Sequence, residues 1–310
     1  MNKKNILVTV KCTVYNHEPY LRQCLDGFVM QKTNFAFEVL VHDDASTDGS
    51  KAIIEEYAER YPNIIKPMYE TVNQYQIGGF YRIIQLMNKY VQGKYIAICE
   101  GDDYWIDPLK LQKQVDYMES HPKCGLVYTK INQLEQVTGK ISMGWAHQAT
   151  FEEIITHDNP ISTPTVLIRR DVYDKFYSHV KVDFSWKMAD YPLWLYISHL
   201  SEIKCLADVT TTYRLLVNSA SHSRKINKML AFTYCGYDIS IFFINYFDRR
   251  ELLPQVNQHF QNCLFKLSKE FNQNISWQIL KFALRNHAVS MKLILKCFGY
   301  SFQIIRKYYS

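Results

Sequence analysis

Short apolar runs alternate with segments of helical spacing along the first two thirds of the chain. The runs at 6–15, 37–42 and 94–99 are rich in apolar side chains, as in strands that are buried on both faces. Between them, residues 20–30 and a segment that ends near residue 60 place apolar side chains three or four positions apart, the spacing of a helix packed on one face. Strands that alternate with helices in this way predict an α/β domain whose mostly parallel sheet is flanked by helices.

The same patterns predict the remaining elements. Further strands are expected at 63–72, 124–129, 165–168 and 210–215, and further helices at 79–91, 108–119, 171–176 and 190–200. Residues 130–160 are expected to be irregular, apart from a short helix near 151–155. From about residue 225 onward the spacing is helical throughout. The pattern therefore predicts an α/β domain at 1–224 and a helical C-terminal region at 225–310.

Polar residues collect where two of the predicted strands end. Glu100, Asp102 and Asp103 follow the strand at 94–99, and the polar loop 43–50 follows the strand at 37–42. Because ligands of such sheets bind at the carboxyl ends of the strands, both loops are expected to face one pocket. Carboxylates close together are costly without a positive partner, and Mg²⁺ with substrate phosphates is a common one. The alternative is a solvated acidic turn.

Charge is distributed unevenly along the chain. The net charge is +6, but residues 225–310 carry 12 Lys and Arg against 4 Asp and Glu, a net +8, which leaves −2 for residues 1–224. Residues 275–310 interleave basic side chains with apolar and aromatic ones. Two interpretations stay open: an interfacial helix on an anionic membrane leaflet, or a helical subdomain packed on the α/β domain with a solvated basic face. No nucleic-acid-binding motif accompanies the charge, so a nucleic-acid partner is not expected.

The eight cysteines show no C-x-x-C spacing, so a zinc site is not expected. Several lie in apolar segments, where a reduced thiol packs as a small hydrophobic side chain. The first residues lack the apolar run and cleavage site of a signal peptide, and no segment reaches about 18 uninterrupted apolar residues. These features predict a reducing, cytoplasmic location, peripheral on the inner face of the cytoplasmic membrane if residues 275–310 bind lipid.

Five short islands in one order give the chain a resemblance to the family 2 glycosyltransferases of the GT-A fold. The islands are residues 13–16, 42–48, 100–105, 190–194, and 213–214 followed by 219–223. The resemblance covers about 1–224. It implies a Rossmann-like sheet and an inverting enzyme that moves a sugar from a nucleotide-diphosphate donor to an acceptor hydroxyl, usually with Mg²⁺ or Mn²⁺.

The resemblance also implies roles for residues at the first three islands. Thr13 and Tyr15 end the first strand, where the nucleotide base of the donor lies. Asp44 resembles the carboxylate that accepts the base N–H, although a helix cap or loop hydrogen bond is an alternative role that Asp48 and Ser50 fit better. Asp102 matches the metal-ligating carboxylate of the family's D-x-D motif.

The other acidic residues of that motif are less regular. Glu100 stands where Asp is usual, and contact with the ribose or with metal-bound water is expected. Asp103 is expected to support the residues that bind the ligand without touching it, or to be a structural carboxylate. Arg82 is a candidate nucleotide contact, at a spacing that departs from the common pattern.

The last two islands carry the expected general base and the closing loop. Asp190 precedes an apolar helix and resembles the family base, with a plain helix cap as the alternative; the usual Glu before it is Ala189 here. His222 lies in the loop that folds over the diphosphate and is a candidate metal ligand, or a surface residue. Arg214 neutralises phosphate or braces that loop. Trp105 and Trp194 stack on sugar rings or pack beneath the site.

The sequence thus predicts a metal-dependent hexosyl- or N-acetylhexosaminyl-transferase of polysaccharide or glycan assembly, with a glycan or lipid-linked acceptor. A sugar-nucleotide nucleotidyltransferase shares the α/β plan, but residues 11–20 lack the glycines of its triphosphate loop. A catalytically inert sugar- or nucleotide-binding partner protein is the remaining alternative.

Overall fold

The computed structural model describes residues 5–216 and 225–271, together with residues 277, 278, 280 and 281. Within these residues the chain forms two compact units. The first takes in the residues up to 151 and residues 160–216, and the second takes in residues 152–159 and the described residues after 224. The predicted boundary at residue 224 falls outside the described residues and stays a prediction.

The described part of the first unit is built on one nine-stranded sheet. Its strands are β1 (Ile6–Val14), β2 (Ala36–Asp43), β3 (Ile65–Tyr69), β4 (Tyr95–Ile98), β5 (Tyr104–Trp105), β6 (Cys124–Glu135), β7 (Lys140–Met143), β8 (Leu167–Arg169) and β9 (Glu202–Leu215). Their order across the sheet is β3-β2-β1-β4-β8-β6-β9-β5, and β7 pairs with β6 beside this path. The long ladders β1–β2 and β6–β9 are parallel, and β5, β7 and β8 run antiparallel to their neighbours.

Helices border the sheet, and their bounds are α1 (Glu18–Val29), α2 (Ser50–Arg60), α3 (Gln74–Asn88), α4 (Lys110–Ser120), α6 (Arg170–His179) and α7 (Asp190–Leu200). Helix α5 (Phe151–Thr156) belongs to the second unit from residue 152 onward. Both faces of β1 are buried: Val10 and Cys12 are fully covered, and so is Thr9 at an alternate position. Burial on both faces is typical of the central strands of a parallel sheet that is flanked by helices. The α/β class and the predicted mostly parallel sheet are confirmed.

Three predictions of local structure were wrong. Residues 130–160 are not irregular throughout, because β6 continues to Glu135 and turns at Gly139, whose φ is +71°, into β7. Strand β9 begins at Glu202 rather than near residue 210. Its first half contains polar residues and so gave no apolar pattern, but it pairs with β6 along nearly its whole length. Helix α3 begins at Gln74 and is broken at Gly78 and Gly79.

The described part of the second unit contains α8 (Ile226–Tyr246), a 3-10 turn (Arg250–Leu252) and α9 (Leu253–Glu270). Phe260, Leu264 and Phe265 of α9 form its small core against apolar side chains of α8. Tyr237 donates a hydrogen bond to Asn257 Oδ1 (2.8 Å), which ties the two helices together. In the parts of the chain that the structure describes, no helix has both the length and the apolar character of a membrane span.

Candidate functional site

A cavity of about 450 Å³ lies at the carboxyl ends of β1, β2 and β4 in the first unit. This is where the predicted pocket was expected. It brings together five of the residues predicted from the sequence: Thr13, Tyr15, Asp44, Glu100 and Asp102. The other lining residues are Val14, His17, Asn73, Tyr75, Gln76, Phe80 and Ile83.

The loops that follow β1 and β2 lock together at the rim of the cavity. Asn16 and Ala45 both have positive φ (56° and 61°), a conformation that needs support from the surroundings. The Asn16 backbone N–H donates to Ser46 Oγ (3.0 Å), and its side-chain oxygen accepts from the Thr47 N–H (2.8 Å). The end of β1 is therefore held against the loop after β2.

Other polar side chains of that loop also hold it against the chain that follows β1. His17 N–H donates to Ser50 Oγ, and Glu18 N–H donates to Asp48 Oδ2, each at 3.0 Å. Asp48 Oδ1 also accepts from the Ser50 N–H (3.0 Å). Asp48 and Ser50 thus make loop hydrogen bonds, the alternative role that they were expected to fit better than Asp44, and only Asp44 of this loop lines the cavity.

The acidic cluster after β4 lies partly buried at the floor of the cavity. Asp102 Oδ1 is shielded from solvent and accepts no hydrogen bond from the described residues. Burial, and then the charges of Asp102 and Asp190, raise the pKa of Glu100 to about 8. Without a positive partner, the cluster therefore holds its charges at a cost in free energy.

This arrangement fits a hard divalent cation. Carboxylate oxygens are the ligands that Mg²⁺ and Mn²⁺ prefer, and a buried oxygen with no hydrogen-bond donor has the character of a ligand. Gly101 permits the close approach of the loop, since a Cβ there would lie 2.8 Å from His17 Nδ1. The residues present thus fit the predicted metal, with the buried Asp102 oxygen as a donor and Glu100 beside it.

Asp103 and Arg214 form a support behind the cluster. Asp103 is buried, and its Oδ1 accepts the backbone N–H of Arg214 (2.8 Å). Burial and the neighbouring charge of Asp102 raise the pKa of Asp103 well above its usual range. Asp103 therefore ties the acidic turn to β9.

The guanidinium of Arg214 is enclosed by polar and aromatic side chains. It donates to Gln136 Oε1 (2.7 Å) and to Gln23, and it lies over the ring of Tyr104 (4.8 Å). It is not among the residues that line the cavity. Of the two predicted roles, these contacts favour the bracing of the chain just before residue 217.

Asp190 is the first residue of α7 and lies near the acidic cluster without lining the cavity. Thr163 Oγ1 donates to Asp190 Oδ2 (2.9 Å), and the Tyr191 N–H donates to Oδ1 (2.8 Å). Its negative charge contributes to the raised pKa of Glu100, which indicates its proximity. Both oxygens are oriented, and each keeps a lone pair for a further partner.

Asp44 makes more contacts than the sequence indicated. Its two oxygens accept the backbone N–H groups of Gln74 (2.6 Å) and Tyr75 (3.0 Å), at the start of α3. The alternative role of a helix cap is thus present in the structure, although Asp44 also lines the cavity. Arg82 does not line it, and its Nε donates to the side chain of Gln74 (3.1 Å).

The sugar-stacking alternative for the two tryptophans was wrong. Trp105 is 2% exposed, packs edge-on against Phe28 and donates its ring N–H to the Pro164 carbonyl. Trp194 is fully buried. Neither ring has a face open to a ligand, so both pack in the interior.

His222, the candidate metal ligand of the last island, lies outside the described residues.

Sequence reasoning missed the side of the cavity that α3 forms. Tyr75 and Phe80 line it as an edge-to-face pair with ring centres 4.9 Å apart, and Tyr75 is 48% exposed. The helix was expected to begin only at 79, because Gly78 and Gly79 interrupt its pattern. His17 was also missed as a lining residue, since a lone His in a loop gives no pattern.

Comparison with known proteins gives one family and one fold. The model of glycosyl transferase family 2 matches residues 9–176, more than half of the chain. An uncharacterized protein of Mycobacterium tuberculosis, Rv1520, is 34% identical over 216 residues, which is 67% of this chain and 59% of the relative. The chain thus spans less than two thirds of that relative's length.

Two solved structures are similar across most of the chain. S. aureus TarS 1-349 in complex with UDP-GlcNAc has a TM-score of 0.57 at 16% identity, covering 91% of this chain and 90% of that one. The mannosyltransferase PcManGT of Pyrobaculum calidifontis, in complex with GDP-Man and Mn²⁺, has a TM-score of 0.58 at 15% identity, covering 97% and 84%. These likenesses confirm the GT-A type of fold. By the family match, the chain belongs to glycosyl transferase family 2.

Proposed function

We propose that this chain is a metal-dependent, inverting glycosyltransferase that uses a nucleotide-diphosphate sugar as donor. One observation carries the proposal: the unpartnered, buried Oδ1 of Asp102 lies in a cavity at the ends of the parallel strands, beside Glu100. A diphosphate with a divalent cation supplies the positive ligand that these carboxylates lack.

The nucleoside of the donor is proposed to lie against the ends of β1 and β2. Thr13, Tyr15 and Asp44 line that end of the cavity. Asp44 already accepts two backbone N–H groups, and its remaining lone pairs are available to a base N–H. The half-exposed Tyr75 ring offers an apolar face nearby. Similar structures contain UDP-GlcNAc or GDP-Man, which supports a donor of this class.

The diphosphate is proposed to lie over Asp102, which would hold Mg²⁺ or Mn²⁺, with Glu100 in contact with the ribose or with metal-bound water. A cation there would neutralise the charge that develops on the leaving diphosphate. His222 is retained as a further candidate ligand, and Arg214 braces the strand that leads to it.

Asp190 is the proposed general base. Inversion requires that an acceptor hydroxyl attack from the face opposite the diphosphate and lose its proton there. The hydrogen bonds from Thr163 and from the Tyr191 N–H orient the carboxylate. An oriented carboxylate near the acidic cluster supports this assignment.

The proposed acceptor is a glycan or lipid-linked sugar in polysaccharide or glycan assembly. A cytoplasmic enzyme that touches the inner face of the membrane through residues 275–310 would meet such an acceptor. The membrane contact through residues 275–310 and the cytoplasmic location are both part of this proposal.

Donor hydrolysis tests the enzyme against an inert binding protein. Nucleotide sugars with different bases are incubated with the protein and Mn²⁺, and the released nucleoside diphosphate is measured. A glycosyltransferase should release it slowly without acceptor, and only with a divalent cation. Binding of a nucleotide sugar with no release, and no transfer to any acceptor, would favour the inert binding protein.

A further inference from the structure

The second unit contains a cluster of three different metal-binding side chains, far from the acidic strand ends in sequence. His259 Nε2 lies 3.5 Å from Cys263 Sγ and 3.8 Å from Asp158 Oδ1. All three atoms lie within 4.8 Å of one another, and they form the one such group of His, Cys, Asp or Glu found among the described residues. A nitrogen, a sulfur and an oxygen therefore converge on one point.

The spacing of these atoms matches a tetrahedral metal centre. Zn²⁺ binds sulfur at about 2.3 Å and nitrogen or oxygen at about 2.0–2.2 Å, so tetrahedral angles separate neighbouring ligand atoms by about 3.3–3.6 Å. The observed separation of 3.5 Å between sulfur and nitrogen falls in this range, and the 3.8 Å between nitrogen and the Asp158 oxygen lies slightly above it. The sulfur and the carboxylate oxygen lie within 4.8 Å of each other. The Asp158 side chain is 84% exposed, so its movement is what would bring the oxygen into the tetrahedral range.

The fold holds two of the three ligands in place before any ion binds. His259 and Cys263 are one helical turn apart on α9, the spacing that puts two side chains on one face. Phe260 and Leu264, next to them in sequence, are buried in the core of the unit and fix the rotation of the helix. Asp158 comes from the segment that follows α5. The third ligand is therefore distant in sequence from the two on α9.

We propose that Asp158, His259 and Cys263 form a binding site for Zn²⁺, with a water or a neighbouring side chain as the fourth ligand. His157 is one candidate, because it is exposed and is the residue before Asp158 in the sequence. The mixed donor set favours Zn²⁺ over Mg²⁺, which avoids sulfur. The expectation that the chain has no zinc site rested on cysteine spacing alone and did not consider ligands about 100 residues apart.

The site would fasten residues 152–159 to α9 within the second unit. One ion pair already attaches this segment to the turn that precedes α9, since Arg249 donates to Glu152 at 2.8 Å. A metal that bridges Asp158 and α9 adds a second attachment, and its binding free energy adds to folding. The role assigned to the ion is therefore structural.

The acidic cluster is a second place where a divalent cation binds, so the experiment must separate the two. Co²⁺ substitutes for Zn²⁺ and gives a near-ultraviolet charge-transfer band only when a thiolate is a ligand. The acidic cluster has only oxygen donors. Full-length protein carrying Asp102→Asn, stripped with chelator, is titrated with Co²⁺ and followed by absorbance.

The proposal predicts a thiolate band that saturates at one equivalent of Co²⁺ and disappears when Zn²⁺ is added. Cys263→Ser should abolish the band, and His259→Gln should weaken Co²⁺ binding by about 100-fold or more, because even the loss of a residue that only supports a ligand costs about 10–100-fold. Cys205→Ser, at a half-buried cysteine of the first unit, is the matched control and should leave the band unchanged.

Two results would overturn the proposal. The first is no charge-transfer band in chelator-stripped unmodified protein, a result that does not depend on the folding of any variant. The second is a band that survives Cys263→Ser, because the thiolate ligand would then lie elsewhere. Circular dichroism of each variant checks that it is folded.

Discussion

Neighbouring carboxylates at the end of β4 have different surroundings, and these surroundings separate their roles. Asp102 presents an unpartnered oxygen, whereas Asp103 is occupied by the Arg214 N–H. The sequence predicted the position of this cluster, because an apolar run that stops at acidic residues marks a strand end. It could not predict the contact with Arg214, since the two residues are 111 positions apart and only the pairing of β5 with β9 brings them together.

Replacing Asp190 by Asn tests the general base. The amide keeps the size of the side chain but cannot take the proton of the acceptor, so transfer should fall by about 10²–10⁴-fold. Donor affinity, measured by calorimetry, should stay within about twofold, because Asp190 does not line the donor cavity. Asp116→Asn, at an exposed position on α4, is the matched control and should keep full activity. Turnover near that of the unmodified protein in Asp190→Asn would move the base to another residue.

A buried lysine predicts a pH dependence of stability. Lys11 is held between Asn88 and Tyr173, and burial lowers its pKa from 10.5 to about 7. Below pH 7 the folded and unfolded states both bind the proton, and between pH 7 and 10.5 only the unfolded state does. The free energy of unfolding should therefore rise with pH across this window, by at most about 1.4 kcal/mol per pH unit for this group.

Denaturant unfolding of the Lys11→Met variant across pH 6–10 measures this effect. The difference in unfolding free energy between the unmodified protein and the variant should shift in favour of the unmodified protein as pH rises. Lys110, whose pKa burial also lowers to about 7, provides an independent repeat through Lys110→Met. A difference that does not change with pH in either variant would contradict the assigned cause.

At the scale of elements, the sequence predicted buried elements well and exposed ones poorly. The bounds predicted from apolar patterns agree closely with the structure for β1, β2, β4 and α7. Most residues of these strands are buried, and so is a broad face of the helix. Strand β7 has four exposed residues and gives no apolar signal. Its one sequence clue was Gly139, whose positive φ is typical of a tight turn.

The start of α3 supports a prediction that separates stability from binding. Asp44 accepts the first N–H groups of α3, so Asp44→Ala should lower the free energy of unfolding by about 0.5–2 kcal/mol. It should also weaken nucleotide binding. Asp48→Ala removes similar hydrogen bonds outside the cavity and should lower stability by a similar amount while leaving nucleotide affinity unchanged. Chemical denaturation and calorimetry measure the two quantities. Equal losses of affinity in both variants would show that Asp44 acts only as a cap.

At the scale of the whole molecule, the basic C-terminal region predicts membrane binding. Most of residues 275–310 lies outside the described residues, but Trp277 is 63% exposed and Lys281 lies over its ring. Anionic liposomes should bind the protein and release it as salt rises, because attraction to a charged leaflet acts within about 8 Å at physiological ionic strength.

The matching variant replaces four basic residues of that region by Gln: Lys281, Arg285, Lys292 and Lys296. Liposome co-sedimentation should fall, and the melting temperature should change little. A large fall in melting temperature would instead indicate that these side chains pack against the rest of the protein, and the helical-subdomain interpretation would replace the membrane one.

The most direct test of the proposed function is nucleoside diphosphate binding with and without a divalent cation. Thermal unfolding is measured with UDP, GDP, ADP, CDP and TDP, each in Mn²⁺ and in EDTA, for the unmodified protein, Asp102→Asn and the exposed control Asp116→Asn. At least one nucleotide should stabilise the unmodified protein and the control in Mn²⁺, by about 2.7 kcal/mol at a concentration of 100 Kd, and none should do so in EDTA. Asp102→Asn should lose most of the effect. Equal stabilisation in EDTA, full stabilisation of Asp102→Asn, or no stabilisation by any nucleotide would contradict the account.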